Sequence, residues 1–308
     1  MSFLNKRESL TQNITYMAIM AAVNAIFSLI ATLVPILSVF LMIVLPLSSA
    51  IVFLFCKHRY YIIYAIATIG LCLIITMFDM SFTIFYIVPS VITGYVFGLF
   101  IKLKIHAVWM ILLTSIIQAL FTFLTIPLIN VLFQVDFLNS LKVLLHVATS
   151  IHIDIIIPTF IFFLGLAQMV FSYIVVSSEI EKFGYQINDE KINRWHLAIA
   201  TLVALILIVP LVFIIPSGTY LMLAIATYFM VFIIFRHIAE RRNKILIALG
   251  GCLVAFLFLF ALLFPLVPTP YGLLLFGLLP LMVAIVSLIN NVLLIHVQKD
   301  KIRSKGER

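Results

Sequence analysis

Few side chains in this sequence of 308 residues could do chemistry, and most of them lie close together. Asp136, Asn139, Lys142, His146, His152 and Asp154 fall within 19 residues. Carboxylates, imidazoles and one ammonium in such a cluster suit recognition of an anionic or zwitterionic solute. A buried charge needs a partner, and Lys142 with Asp154 or Asp136 supplies one that a ligand could displace. His146, His152 and Asp154 are zinc ligands by type, but their spacing matches no closed metal motif, so neither a metal nor another cofactor is expected. Two primary amides, Gln118 and Gln168, stand deep in long apolar stretches, where they could bind a substrate or tie two helices together. Catalysis finds no comparable foothold. The sequence lacks a Gly-x-Ser-x-Gly elbow, a His-Glu-x-x-His pair, a phosphate-binding loop and paired intramembrane glutamates. Cys56, Cys72 and Cys252 have no CxxC or Cys/His spacing and read as small buried hydrophobes.

The elements that position these residues follow from composition. The chain is 65% apolar and 10% charged, with a mean hydropathy of +1.30, against roughly 45–50% and about 25% in a soluble domain. So few charges cannot cover a water-soluble surface, which excludes a cytosolic enzyme and a nucleic-acid-binding module. Disorder is excluded as well, since it needs low hydrophobicity and high charge. A helix needs about 20 apolar residues to cross about 30 Å of hydrocarbon. Ten stretches qualify: 14–37, 39–56, 60–78, 83–101, 107–133, 151–176, 197–215, 219–235, 245–267 and 272–297. None alternates as a barrel strand would. The expected fold class is all-α, a polytopic transmembrane helical bundle of about ten spans.

Ten spans put both ends on one side, and the basic residues say which. With this count 18 of the 19 Lys and Arg residues share a side, and Lys142 alone lies on the other. Positive charge marks the cytoplasmic loops, so both termini are expected to be cytoplasmic. Asp79 then joins the 136–154 cluster on the outer side. Lys6 and Arg7 precede an apolar stretch long enough to span and without a small-residue cleavage site, which reads as a first span and not a cleaved leader. Trp109, Trp195 and Tyr271 fall near span ends, where an aromatic belt is expected.

The most hydrophilic stretch, 178–194, carries seven charges in 17 residues and divides the chain into a six-span module (1–177) and four further spans with a basic tail (195–308). Ala18, Ala21, Ala22 and Ala25 recur at four-residue spacing in the first span beside Asn24, a device that lets helices approach closely. Ser90, Gly94 and Gly98 repeat it in the fourth span, where helix packing within the bundle is the expected role. The fifth span is too long for the bilayer and should tilt or break near Pro127. Beyond it, Phe137, Leu138, Leu141, Leu144, Leu145 and Ala148 make one face of an amphipathic helix, with Asn139, Lys142, His146 and Thr149 on another. That helix would lie at the outer interface or fold over the mouth of the bundle, its polar face turned inward as a lid.

An alanine-rich first helix behind a cytoplasmic N-terminus, followed by a fourth span with Pro89, Gly94 and Gly98, resembles the substrate-binding S components of energy-coupling factor (ECF) transporters. The resemblance covers about residues 14–176. With its additional spans the whole chain is similar to the YybS-like family of bacterial membrane proteins. The resemblance implies a multi-pass protein of the bacterial cell membrane whose six-helix module captures a vitamin or similar small molecule from outside. It implies that Ala18, Ala21, Ala22 and Ala25 dock on a transmembrane T component driven by two ATPases. It also implies that outer loops close over substrate, giving Asp79, Asp136, Lys142, His146, His152 and Asp154 a role. The four extra spans depart from the S-component pattern. The expected function is therefore a non-enzymatic, solute-binding subunit of an ECF-type importer, with the lipid bilayer, a small-molecule ligand, the T component and its ATPases as partners and no nucleic acid. The alternative is a structural or regulatory membrane protein that docks cytosolic partners through 178–194 and its basic tail.

Overall fold

The computed structural model describes residues 9–144, 151–180, 192–268 and 271–306. Regular structure among them is entirely helical: α1 (Leu10–Leu33), α2 (Pro35–Phe55), α3 (Tyr61–Ile75), α4 (Met80–Lys102), α5 (Ala107–Phe133), α6 (Phe137–Leu144), α7 (Ile151–Ile180), α8 (Arg194–Ile214), α9 (Pro216–Ala239), α10 (Asn243–Leu263) and α11 (Leu278–Gly306). Nine helices among the described residues are long and apolar enough to cross a membrane. Helix α2, with 21 residues and no charge, has the length as well. The protein is a multi-pass, all-α integral membrane protein.

Local chemistry explains where the helix ends differ from the expected spans. Helix α1 begins four residues early because Ser9 and Gln12 form a capping box, each side chain meeting the other's backbone N–H. The first and second spans divide at Val34, since Pro35 opens α2, where its missing N–H costs nothing. Helix α5 runs unbroken through Pro127 for 27 residues, about 40 Å at 1.5 Å per residue, so the break considered from sequence does not occur. Pro46, Pro89, Pro158 and Pro210 also sit inside continuous helices, as neighbouring helices in a membrane allow. The described part of the amphipathic segment forms α6, with 145–150 outside the described residues, and the carboxylate of Asp136 accepts from the Asn139 backbone N–H at 3.0 Å.

The chain divides into two compact units. The first takes α1 to α6 and α7 from Phe160 onward, and the second takes Ile151–Thr159 of α7 with α8 to α11. In the first unit α4 is the central helix, packed on α2 and α5. Glycines set the α2–α4 spacing. A Cβ on Gly94 would lie 2.4 Å from Ser49 Cβ and 2.6 Å from the Pro46 carbonyl oxygen, and one on Gly98 would lie 2.7 Å from the Phe53 ring. Hydrogen bonds add specificity that apolar contact in lipid cannot. Asn24 of α1 donates to the Tyr64 hydroxyl of α3 at 3.0 Å and accepts from Ser48 of α2 at 2.6 Å. Tyr61 donates to the Val91 carbonyl of α4 at 2.6 Å. In the second unit α8 packs along α9, and α11 buries Val283, Ala284, Ser287 and Asn291. Helix α10 buries little beyond Leu249 and Phe256.

Candidate functional site

Two polar stripes build the wall of a site in the first unit. On α4, Thr83, Tyr86, Ser90 and Thr93 recur at three- and four-residue spacing, and on α5 so do Ser115, Gln118, Thr122 and Thr125. All eight are buried. That spacing puts each set on one helix face. The faces meet where Thr93 Oγ1 donates to Gln118 Oε1. The same hydroxyl lies 2.7 Å from the Pro89 carbonyl oxygen, and one proton serves one acceptor at a time, so the Gln118 carbonyl retains accepting capacity.

Helix α7 completes the site. Gly165 has no side chain to hold it off α5: a Cβ there would lie 3.2 Å from both Gln118 Cγ and the Ser115 carbonyl oxygen. Its neighbours Ile161, Leu164 and Gln168 enclose, with Phe85 and Tyr86 of α4 and Gln118 and Thr122 of α5, a cavity of about 20 Å³. That is room for one water-sized group. No charged residue lines it. Gln168 is only 6% exposed, and its Oε1 has no hydrogen-bond partner. An unsatisfied buried acceptor costs about 1–3 kcal/mol. The arrangement therefore offers an uncharged, aromatic-walled pocket in which a guest with an N–H or O–H would remove that cost.

Helix α6 is fastened beside this pocket. Phe137 is 1% exposed, and its ring centroid lies 5.0 Å from that of Phe82 and 4.9 Å from that of Phe85, a wall residue. Its backbone N–H donates to Asn130 Oδ1 at 3.0 Å. Phe137 thus packs α6 on α4. Asn139, on the other face, is exposed and does not line the cavity.

Of the residues singled out from sequence, Gln118 and Gln168 come together. Asp79 is half-buried in the turn that leads into α4. Lys142 belongs to α6 and His152 and Asp154 to the first turn of α7, with side chains outside what the structure describes, and His146 lies outside the described residues, as does most of 178–194. No three His, Cys, Asp or Glu among the described residues come together in a way that could hold a metal ion. The alanines of α1 separate. Ala21 and Ala25 are buried in the first unit, whereas Ala18 and Ala22 are exposed. Ser90, Gly94 and Gly98 are buried on the central helix. Sequence reasoning missed Tyr86, Thr122 and Gly165, although the spacing Ser115, Gln118, Thr122, Thr125 was there to be read. No family model matches the chain, and no curated protein and no solved structure matches it.

Proposed function

We propose that the protein is the solute-binding subunit of an ECF-type importer, with its first unit as the binding module. The observation that carries this reading is the Gln168 amide, buried with an unanswered acceptor in a neutral cavity between α4, α5 and α7. Polar groups in lipid are costly when unmatched and tend to mark a ligand path, and this one faces a cavity. The six membrane-length helices that precede 178–194, α1 to α5 and α7, match the extent of the S-component resemblance. Ala18 and Ala22 support the docking part of the reading: they leave a shallow, exposed strip on α1 on which a T component could approach closely. Ala21 and Ala25 drop out of that role, since they pack inside the unit.

The test is to purify the protein from its own membranes and identify what travels with it by mass spectrometry. A T component, ATPases and a stoichiometric small molecule are expected. Ala22→Leu should fold normally yet lose the T component, because a larger side chain separates the helix axes. Ala25→Leu, at a position 1% exposed, should instead prevent accumulation. Purification with no T component and no bound solute would overturn the transport reading and favour a structural or regulatory role.

A further inference from the structure

A second constellation lies away from the cavity, where two loops of the first unit meet. Residues 57–59 between α2 and α3 are Lys, His and Arg, and the α4–α5 connection runs through Lys102, Lys104 and His106, with no acid in either loop. The loops touch, since Lys102 Nζ donates to His58 Nε2 at 2.7 Å. That contact uses one ammonium N–H, and two of the three remain for another acceptor. The loops are held in place from below. The His58 ring stacks on Phe53 with centroids 4.5 Å apart and planes at 22°, and Phe53 is 2% exposed. The Lys57 backbone N–H donates to Asn13 Oδ1 of α1 at 2.8 Å. The Arg59 guanidinium lies 4.7 Å over the Tyr60 ring and donates to its hydroxyl at 2.6 Å.

The result is a fixed, exposed cationic surface. Among the described residues the ion pairs are Arg236–Glu240 and Arg242–Glu240, so Lys57, Arg59 and Lys102 face no carboxylate there. Immediately beyond Arg59, α3 turns a bare apolar flank outward. Ile62, Ile63 and Ile66 are 69%, 60% and 68% exposed. A cationic patch continuous with an apolar flank fits an amphiphile with an anionic head better than a soluble anion, which would gain nothing from the isoleucines. We propose that these two loops bind one anionic phospholipid, its phosphate between Lys102 and Arg59 and its acyl chains along the Ile62–Ile66 face of α3.

The experiment uses the full-length protein in nanodiscs of phosphatidylcholine with or without phosphatidylglycerol, with bound lipid counted by native mass spectrometry after extraction. The wild type should retain phosphatidylglycerol selectively. Arg59→Gln and Lys102→Gln should each weaken that retention about fivefold, as expected for one surface charge, and the double variant should abolish the selectivity. Lys244→Gln, which removes an exposed cation in the second unit, should change nothing. Unfolding temperatures in phosphatidylcholine alone serve as the check on folding, and Arg59→Gln gives the readout by itself should the double variant not fold. Three results would overturn the proposal: undiminished phosphatidylglycerol in the variants, an equal loss in Lys244→Gln, or displacement of the lipid by inorganic phosphate, which would make this a soluble-anion site.

Discussion

A single carboxamide decides whether the first unit is a container or only a bundle. Gln168 is long enough to reach a partner, yet its Oε1 meets none, while Gln118 one helix away is held by Thr93. A leucine there would remove the cost of the orphaned acceptor, so the glutamine points to use. Gln168→Leu, close in volume, is therefore expected to raise the unfolding temperature, by the equivalent of about 1 kcal/mol, since both partners of a missing hydrogen bond are then absent. The same variant should lose solute binding or uptake at unchanged membrane abundance, a stability gain at the expense of function. Thermal unfolding and uptake measured side by side check this. A fall in stability would mean that the amide is satisfied within the bundle and is structural. Both glutamines were legible in the sequence, because a lone amide in an apolar stretch stands out. Their proximity was not, because it depends on Gly165 letting α7 approach α5, a tertiary fact with no local signature.

At the scale of elements, the hydropathy of the chain dictated nearly everything about existence and length of helices, and little about which faces meet. Ala18–Ala22 and Ala21–Ala25 illustrate the limit. Both pairs have the same spacing, but they lie about 60° apart around the helix at about 100° per residue, and only packing tells the buried pair from the exposed one. The glycines show the same division. Gly94 and Gly250 are equivalent letters within apolar helices, yet a methyl group at Gly94 would strike the backbone of α2, while one at Gly250 meets nothing within 4 Å. Backbone cannot swing aside as a side chain can, so Gly94→Ala should destabilise the first unit by about 3 kcal/mol, the upper range for overpacking. Gly250→Ala should be neutral or gain up to about 1 kcal/mol from helix propensity. Unfolding of the two variants in the same detergent makes the comparison, and equal effects would show that α2 and α4 do not approach closely. Helix ends were legible only where capping chemistry speaks, as at Ser9 and Gln12 or at Pro35, and Pro127 misleads because a membrane helix tolerates a proline that a soluble one would not.

For the whole molecule the governing constraint is the asymmetry of charge across the membrane. Six of the ten membrane-length helices precede the 178–194 stretch and five precede α6, so the two must open on opposite sides whatever the packing of either unit. By the positive-inside rule, the distribution of 18 Lys and Arg residues against one predicts the sense: 178–194 cytoplasmic and α6 external. That sense would put the Phe85–Phe137 contact toward the outer side and the Lys102–His58 contact toward the other. Cysteine labelling tests the arrangement on intact cells. The native thiols do not interfere greatly, since Cys56 and Cys72 are buried and Cys252 is partly so, and all three can be replaced by alanine. Asn139 is exposed on α6, so Asn139→Cys should react with an impermeant maleimide added outside. Asn188→Cys should react only after the cells are permeabilised. The reverse pattern would invert every side assignment and put the pocket's α6 edge on the cytoplasmic face, where capture of an external solute is impossible. Labelling of both from outside would mean that α7, the one membrane-length helix between them, does not cross.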